Sequence, residues 1–130
     1  MNIEAFIKKH GIHISNVAVD INPNNKEWTE ANHYRCVLRM GKKHYTTYFS
    51  MGYAHTSEPT VADVLDCLAM DSEGIDNSDS FEGWASYYGY DTDSRKAEKT
   101  YQVCLKQAEK LENFLGTENY KTLLYKVDRL

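Results

Sequence analysis

The chain has 130 residues, 42% hydrophobic and 26% charged, with a formal net charge of −4, which suits a globular domain with its own core and excludes a disordered or collagen-like chain. No stretch approaches the ~18 consecutive apolar residues of a membrane helix, and Met1 to His10 lacks the apolar run of an export signal, so a soluble protein with no membrane association is expected. Cys36, Cys67 and Cys104 are odd in number and far apart, which argues against a disulfide framework or a zinc knuckle and for a reducing cytoplasm, with the three cysteines acting as small buried hydrophobes.

In chain order, Ile3, Phe6 and Ile7 have helical spacing, and the pattern predicts a helix over Asn2 to His10 that Gly11 stops. Val17, Val19 and Ile21 alternate with Ala18 and Asp20 as a half-buried strand does. Asn22-Pro23-Asn24-Asn25 breaks it, and a polar loop follows to about Ala31. Gly41-Lys42 is a two-residue hairpin turn with glycine first, the type II′ signature. Counting outward pairs Leu38 with Tyr45, Cys36 with Thr47 and Tyr34 with Phe49 on an apolar face. Arg39 with His44, Val37 with Thr46 and Arg35 with Tyr48 form the opposite, basic and aromatic face. A slip of one residue would bury Arg35 and Arg39, so the register is strongly specified.

After Gly52 the pattern turns helical. Thr60 and Asp63 have capping-box spacing, and Val61, Val64, Leu65 and Leu68 form an apolar stripe. Asp71 to Asp79, with Gly74 inside it, reads as an exposed loop. Asp79 with Glu82 would cap a short helix carrying Phe81, Trp84 and Ala85, ended by Gly89. The longest element runs from about Asp93 to Leu115, capped by Asp91, Thr92 and Asp93 and closed by Gly116. Tyr120 to about Val127 forms a last helical segment. This order predicts an α+β fold: a three-stranded antiparallel sheet with helices packed on one face. We expect a single domain over 1–130, its N-terminal helix and hairpin sheet spanning about 1–52 and its helical part about 60–130.

Charge is strongly segregated along the chain. Between Thr56 and Glu98 eleven carboxylates face two bases, a net of −9, while residues 1–55 net +3 and residues 99–130 net +2. Helix capping would account for Asp63, Asp79, Asp91 and Asp93. The others include Asp66, Asp71, Glu73, Asp76, Glu82 and Glu98, as a solvated face or as a surface that selects partners.

Motifs for catalysis are missing. His10 and His13 are separated by a helix-breaking glycine, His33, His44 and His55 are scattered, and there is no H-E-x-x-H, no Walker A loop, no G-x-G-x-x-G and no G-x-S-x-G. A calcium loop fails as well. Begun at Asp76, it puts Phe81 where glycine is needed and Tyr87 at the bidentate position; begun at Asp91, it puts Arg95 among the ligands. We therefore expect no enzyme, no metal and no cofactor. Arg35, Arg39, Lys42, Lys43 and His44, with Tyr48, form a basic aromatic face of the kind that grips single-stranded nucleic acid.

The run from Asp63 to Ala97 carries a more specific pattern: Asp63-Val64-Leu65-Asp66-Cys67-Leu68, Phe81-Glu82-Gly83-Trp84 and Tyr88-Gly89-Tyr90-Asp91-Thr92-Asp93-Ser94-Arg95-Lys96-Ala97. Phe114-Leu115-Gly116, the strand Tyr48-Phe49-Ser50-Met51-Gly52, His55 and Pro59 also fit it. In these marks, which cover most of the chain, it resembles a family of small proteins encoded by bacteriophages and prophages. The resemblance implies phage origin and action in the cytoplasm of a bacterial host, and brings no catalytic residue with it. Small acidic phage proteins without catalytic signatures are often inhibitors of host defence, by analogy of lifestyle and charge.

The expected function is thus an anti-CRISPR-like inhibitor that binds a host CRISPR-Cas or other defence nucleoprotein. Asp66, Asp71, Glu73, Asp76, Asp79, Glu82, Asp91 and Asp93 would stand in for nucleic-acid phosphates, and Trp84, Tyr87, Tyr88 and Tyr90 would anchor the contact. The alternative is a phage nucleic-acid-binding or replication accessory protein acting through Arg35, Arg39, Lys42, Lys43, His44 and Tyr48. Direct nucleic-acid binding ranks below the inhibitor reading, and homodimerisation through leftover apolar helix surface stays open.

Overall fold

The structure, a computed structural model, describes residues 1–20, 32–51 and 59–129. Ile21, the loop expected from Asn22 to Ala31, Gly52, His55 and Glu58 lie outside the described residues, as do the side chains of Tyr48 and Phe49. The elements run α1 (Ile3–His10), β1 (His13–Asp20), β2 (Asn32–Met40), β3 (Lys43–Met51), α2 (Val61–Asp76), α3 (Phe81–Tyr88), α4 (Arg95–Leu115) and α5 (Thr117–Tyr125). The fold is α+β, with one antiparallel sheet in the order β1-β2-β3. The chain divides into two compact units, Met1–Cys67 with Val127–Leu130 and Leu68–Lys126, α2 passing from one into the other.

In the first unit the hairpin has the register that its turn dictates. All six expected pairs form, from Leu38 with Tyr45 to Arg35 with Tyr48. Gly41 takes φ +59°, while Lys42 keeps an ordinary negative φ, the pattern of a type II′ turn. Tyr34, Cys36 and Leu38 are fully buried on one face, whereas Arg35 is exposed on the other and Val37 and Arg39 are half-buried.

Strand β1 is less regular. Ser15 pairs with Val37 and Ala18 with Arg35, so three steps along β1 match two along β2. The extra residue is a bulge at Asn16, whose φ of +54° is tolerated because asparagine visits the left-handed region more readily than other side chains. The bulge shifts the register: Ile14 and Val19, five apart on β1, pair with Leu38 and Tyr34, four apart on β2.

α1 is capped by the Asn2 side chain, which accepts from the Ala5 N–H at 2.8 Å, and ends at Gly11 in the left-handed region. Alongside it Asp128 bridges Asn2, donating to the Met1 carbonyl and accepting from Ile3. Phe6, Ile12, Thr47, Val64, Leu65 and Val127 are also buried in this unit.

The second unit corrects the helix boundaries. Asp71 to Asp76 is not a loop but the last part of α2. Ser72 there is 1% exposed and hydrogen-bonded to Tyr120, and Ser78 closes the helix by donating to the Gly74 carbonyl at 2.7 Å. α3 is capped by Ser80, not Asp79, through a bond from the Gly83 N–H at 3.1 Å. α4 starts at Arg95 with Ser94 as its cap, accepting from Ala97 at 3.2 Å. Asp91 and Asp93 precede that cap and form a turn instead, the Asp93 N–H donating to Asp91 Oδ1 at 3.0 Å. Of the four acids assigned to capping, Asp63 alone fills that role, in a reciprocal capping box with Thr60. The buried stripe of α4, Ala97, Ala108, Leu111, Phe114 and Leu115, joins Tyr120, Leu123 and Leu124 of α5 in the core.

Candidate functional site

The C-terminal half of α2 and the whole of α3 bound a groove of about 710 Å³, lined by Met70, Glu73, Gly74, Asn77, Ser78, Asp79, Ser80, Gly83, Tyr87 and Tyr88. Local chemistry sets its shape. Gly89 ends α3 in the left-handed region at φ +74°, its N–H returning to Ser86 and the Tyr90 N–H to Ala85 at 2.8 Å. This is a Schellman motif, which favours an apolar contact from the residue after the glycine back onto the helix. Tyr90 makes it, stacking on Trp84 with ring centroids 5.2 Å apart and planes 12° from parallel.

Trp84 is the hub of the aromatic cluster. Its ring also lies 5.4 Å from Tyr88, 5.3 Å from Tyr101 and 6.4 Å from Phe81. At 3% exposure it is a core residue. It therefore cannot anchor a partner, as the sequence reading expected, but holds the residues that could. Tyr88 and Tyr90 are 43% and 46% exposed, and Tyr87, edge-on to Tyr88 at 5.0 Å, is 80% exposed. Exposed Met70 continues this apolar surface.

Gly74 explains how Tyr88 reaches its position. A Cβ on Gly74 would lie only 2.9 Å from ring carbons of Tyr88, so the tyrosine packs on bare backbone. Glycine is costly within a helix, and here it makes room for the groove wall. Gly83 is different, since a Cβ there would meet only Ser80 Oγ at an ordinary 3.5 Å.

The carboxylates of the expected partner surface fall into separate settings. Asp66, in the first unit, is ion-paired with Arg129 at 3.6 Å, which removes it from a free acidic face. Asp71 and Asp76, five residues apart on α2, project about 140° from each other. Asp71 faces the Tyr88 and Cys104 side: it keeps solvent contact, yet the surrounding protein pushes its carboxyl above the usual range, and its charge adds to the burial that raises Cys104 to about 11. Asp76 accepts a hydrogen bond from the Tyr125 hydroxyl, which raises that phenol to about 12. Glu73 and Asp79 line the groove. Asp79, Glu82, Asp91 and Asp93 are exposed and, among the described residues, make no ion pair. The acids thus do not share one setting, and Glu73 and Asp79 line the groove together with the exposed Tyr87 and Tyr88.

On the outer face of the sheet, the Arg39 Nε donates to Ser15 Oγ at 2.7 Å. Arg35, Lys42, Lys43 and His44 are exposed. A shallow depression of about 340 Å³ lies among Asn16, Arg35, Val37 and Thr46. Internal pairing of this face with the acidic run is a natural expectation, but among the described residues no carboxylate pairs with these bases. The Tyr48 side chain lies outside the described residues.

Among the described residues no group of three His, Cys, Asp or Glu side chains is placed to hold a metal, and no helix is long and apolar enough to cross a membrane. Cys36 is buried, Cys67 and Cys104 are half-buried, and no disulfide joins them. Burial raises Cys36 to about 11, which disfavours the reactive thiolate. Comparisons with protein-family models, curated proteins and solved structures find no match.

Sequence reading missed Met70, Gly74, Asn77, Ser78, Ser80 and Gly83 as groove residues, because it ended α2 too early. The signal was present in Leu65, Leu68, Ser72 and Ile75, which continue the 3–4 spacing through the acidic run.

Proposed function

We propose that this chain is a phage-encoded, non-enzymatic inhibitor that binds a basic surface on a host defence nucleoprotein, in the manner of an anti-CRISPR protein, with acidic side chains of its second unit in place of nucleic-acid phosphates. The observation that carries this reading is the exposed set Asp79, Glu82, Asp91 and Asp93, which makes no ion pair among the described residues, on the unit that also exposes Tyr87, Tyr88 and Tyr90. Aromatic side chains give binding energy at an interface core, and complementary charge gives orientation and encounter rate. Phage origin and host-cytoplasm action come from the family resemblance.

The test is plaque formation by a targeted phage on bacteria with an active CRISPR-Cas system, with and without this protein. Protection of the phage by the wild type, lost on reversal of Asp79, Glu82, Asp91 and Asp93 to lysine with an unchanged circular dichroism spectrum, supports the reading. A reversed variant that protects fully overturns it, as does a wild type that protects against none of a panel of CRISPR-Cas types.

The basic face of the hairpin, which makes no ion pair among the described residues, favours a second reading, a nucleic-acid-binding or replication accessory protein. It expects single-stranded DNA binding that weakens steeply with salt, because phosphate contacts release counterions. Arg35→Ala should lower the slope of that dependence. Salt-independent or undetectable binding ends this reading.

A further inference from the structure

We infer that the groove between α2 and α3 is a receptor for an extended basic segment of the partner, with one arginine or lysine side chain laid across Tyr87 and Tyr88 and its charge next to Glu73 and Asp79. The inference rests on the acidic-surface reading above and specifies where on that surface the partner's chain is gripped.

Three observations converge. The groove is concave and bordered by two tyrosines, Tyr87 at 80% exposure and Tyr88 at 43% among the described residues. Tyrosine faces attract cations, arginine above all, within about 6 Å of the ring. Among the described residues the charge of the lining is of one sign: its ionisable side chains, tyrosines apart, are Glu73 and Asp79, with no lysine, arginine or histidine, so the occupant that complements it is cationic.

The third observation is Gly83. It stands in the first turn of α3, where most side chains would favour the helix more than glycine does. Unlike Gly74 it is not forced by packing among the described residues, where its Cβ position meets only Ser80 Oγ at 3.5 Å. The fold gives no reason for a glycine there, but the groove does: Gly83 lines it, and a missing side chain lets another backbone approach closely. A position that costs helix stability yet keeps a channel open is what a docking groove requires.

The test uses the full-length protein and a fluorescein-labelled octapeptide of alternating arginine and glycine, read by fluorescence anisotropy. The control peptide has citrulline in place of arginine, keeping shape while removing charge. The arginine peptide should bind at least about tenfold more tightly than the citrulline one, and Tyr87→Ala should weaken it by about tenfold. Gly83→Gln, a helix-compatible change that fills the channel, should lose binding while its melting temperature stays at or above that of the wild type. Amide shifts in the wild-type NMR spectrum on peptide addition should cluster in residues 70–88. The inference is overturned if Gly83→Gln binds as the wild type does, if citrulline binds equally, or if the shifts fall elsewhere. The plaque assay separates the two levels. A Gly83→Gln protein that still protects, where reversal of Asp91 and Asp93 does not, removes the groove and keeps the acidic surface.

Discussion

Gly74 and Gly83 face the same groove from two helices, yet alanine should act on them with opposite sign. At Gly74, inside α2, alanine gains about 0.8–1.0 kcal/mol of helix propensity. Its Cβ, however, would sit 2.9 Å from Tyr88 ring carbons, closer than carbon atoms pack. Overpacking of this kind costs about 1–3 kcal/mol, because Tyr88 must leave both Gly74 and the edge of Trp84. The balance is a loss of about 1 kcal/mol, a fall in melting temperature of about 3–5 °C for a chain of this size. At Gly83 there is room, so alanine should add about 0.5 kcal/mol and raise the melting temperature by about 2 °C. Thermal denaturation followed by far-UV circular dichroism measures both. Tyr88→Ala in the Gly74→Ala background should recover most of the propensity gain, a non-additivity that marks direct contact. If Gly74→Ala stabilises as much as Gly83→Ala does, Tyr88 does not pack on that backbone, and the groove wall described above is wrong.

Three further outcomes follow from single sites. Thr47 is 2% exposed and its hydroxyl has no hydrogen-bond partner among the described residues, so Thr47→Val, which keeps the shape, should stabilise the protein by about 1 kcal/mol in urea denaturation. Asp71 has its carboxyl pushed up by burial, so the folded state binds its proton more tightly than the unfolded chain does. Its charging therefore costs stability as pH rises from the unfolded to the folded pKa. Asp71→Asn should raise the melting temperature at neutral pH, and the gain should vanish below the ordinary carboxylate range. Gly41, at φ +59°, should lose about 1 kcal/mol on change to alanine, whereas Lys42→Ala beside it, with negative φ, should be close to neutral in the same melts.

What was legible in the sequence was whatever a short-range rule decides alone. Gly41-Lys42 sets the hairpin turn, and the buried face then fixes every pair from Tyr34 to Phe49, because a slip inverts all side chains at once. Gly11, Gly89 and Gly116 marked helix ends by the same kind of local necessity. Asn16 was not legible, since the residue after which a strand bulges depends on the partner strand it must match. The end of α2 was misread because charge and a glycine imitate a loop, while the facts that make it a helix, Ser72 bonded to Tyr120 and Tyr88 seated on Gly74, are tertiary. Trp84 reads as an anchor in the sequence for the converse reason: composition shows an aromatic cluster but not which ring lies inside.

The change of capping residues matters for function more than for fold. Had Asp79, Asp91 and Asp93 been the caps of α3 and α4, their negative charge would be explained by the helices, and replacing them would cost about 1 kcal/mol each. Ser80 and Ser94 do that work instead. What remains to the three aspartates is the favourable field of a nearby helix start, about 0.3–1 kcal/mol and screened by salt, with Asp91 also bonding the Asp93 N–H. Their abundance therefore exceeds what local structure needs. Reversing them disturbs the fold little, so a loss of inhibition in the reversed variant would report on the partner's charge rather than on an unfolded protein.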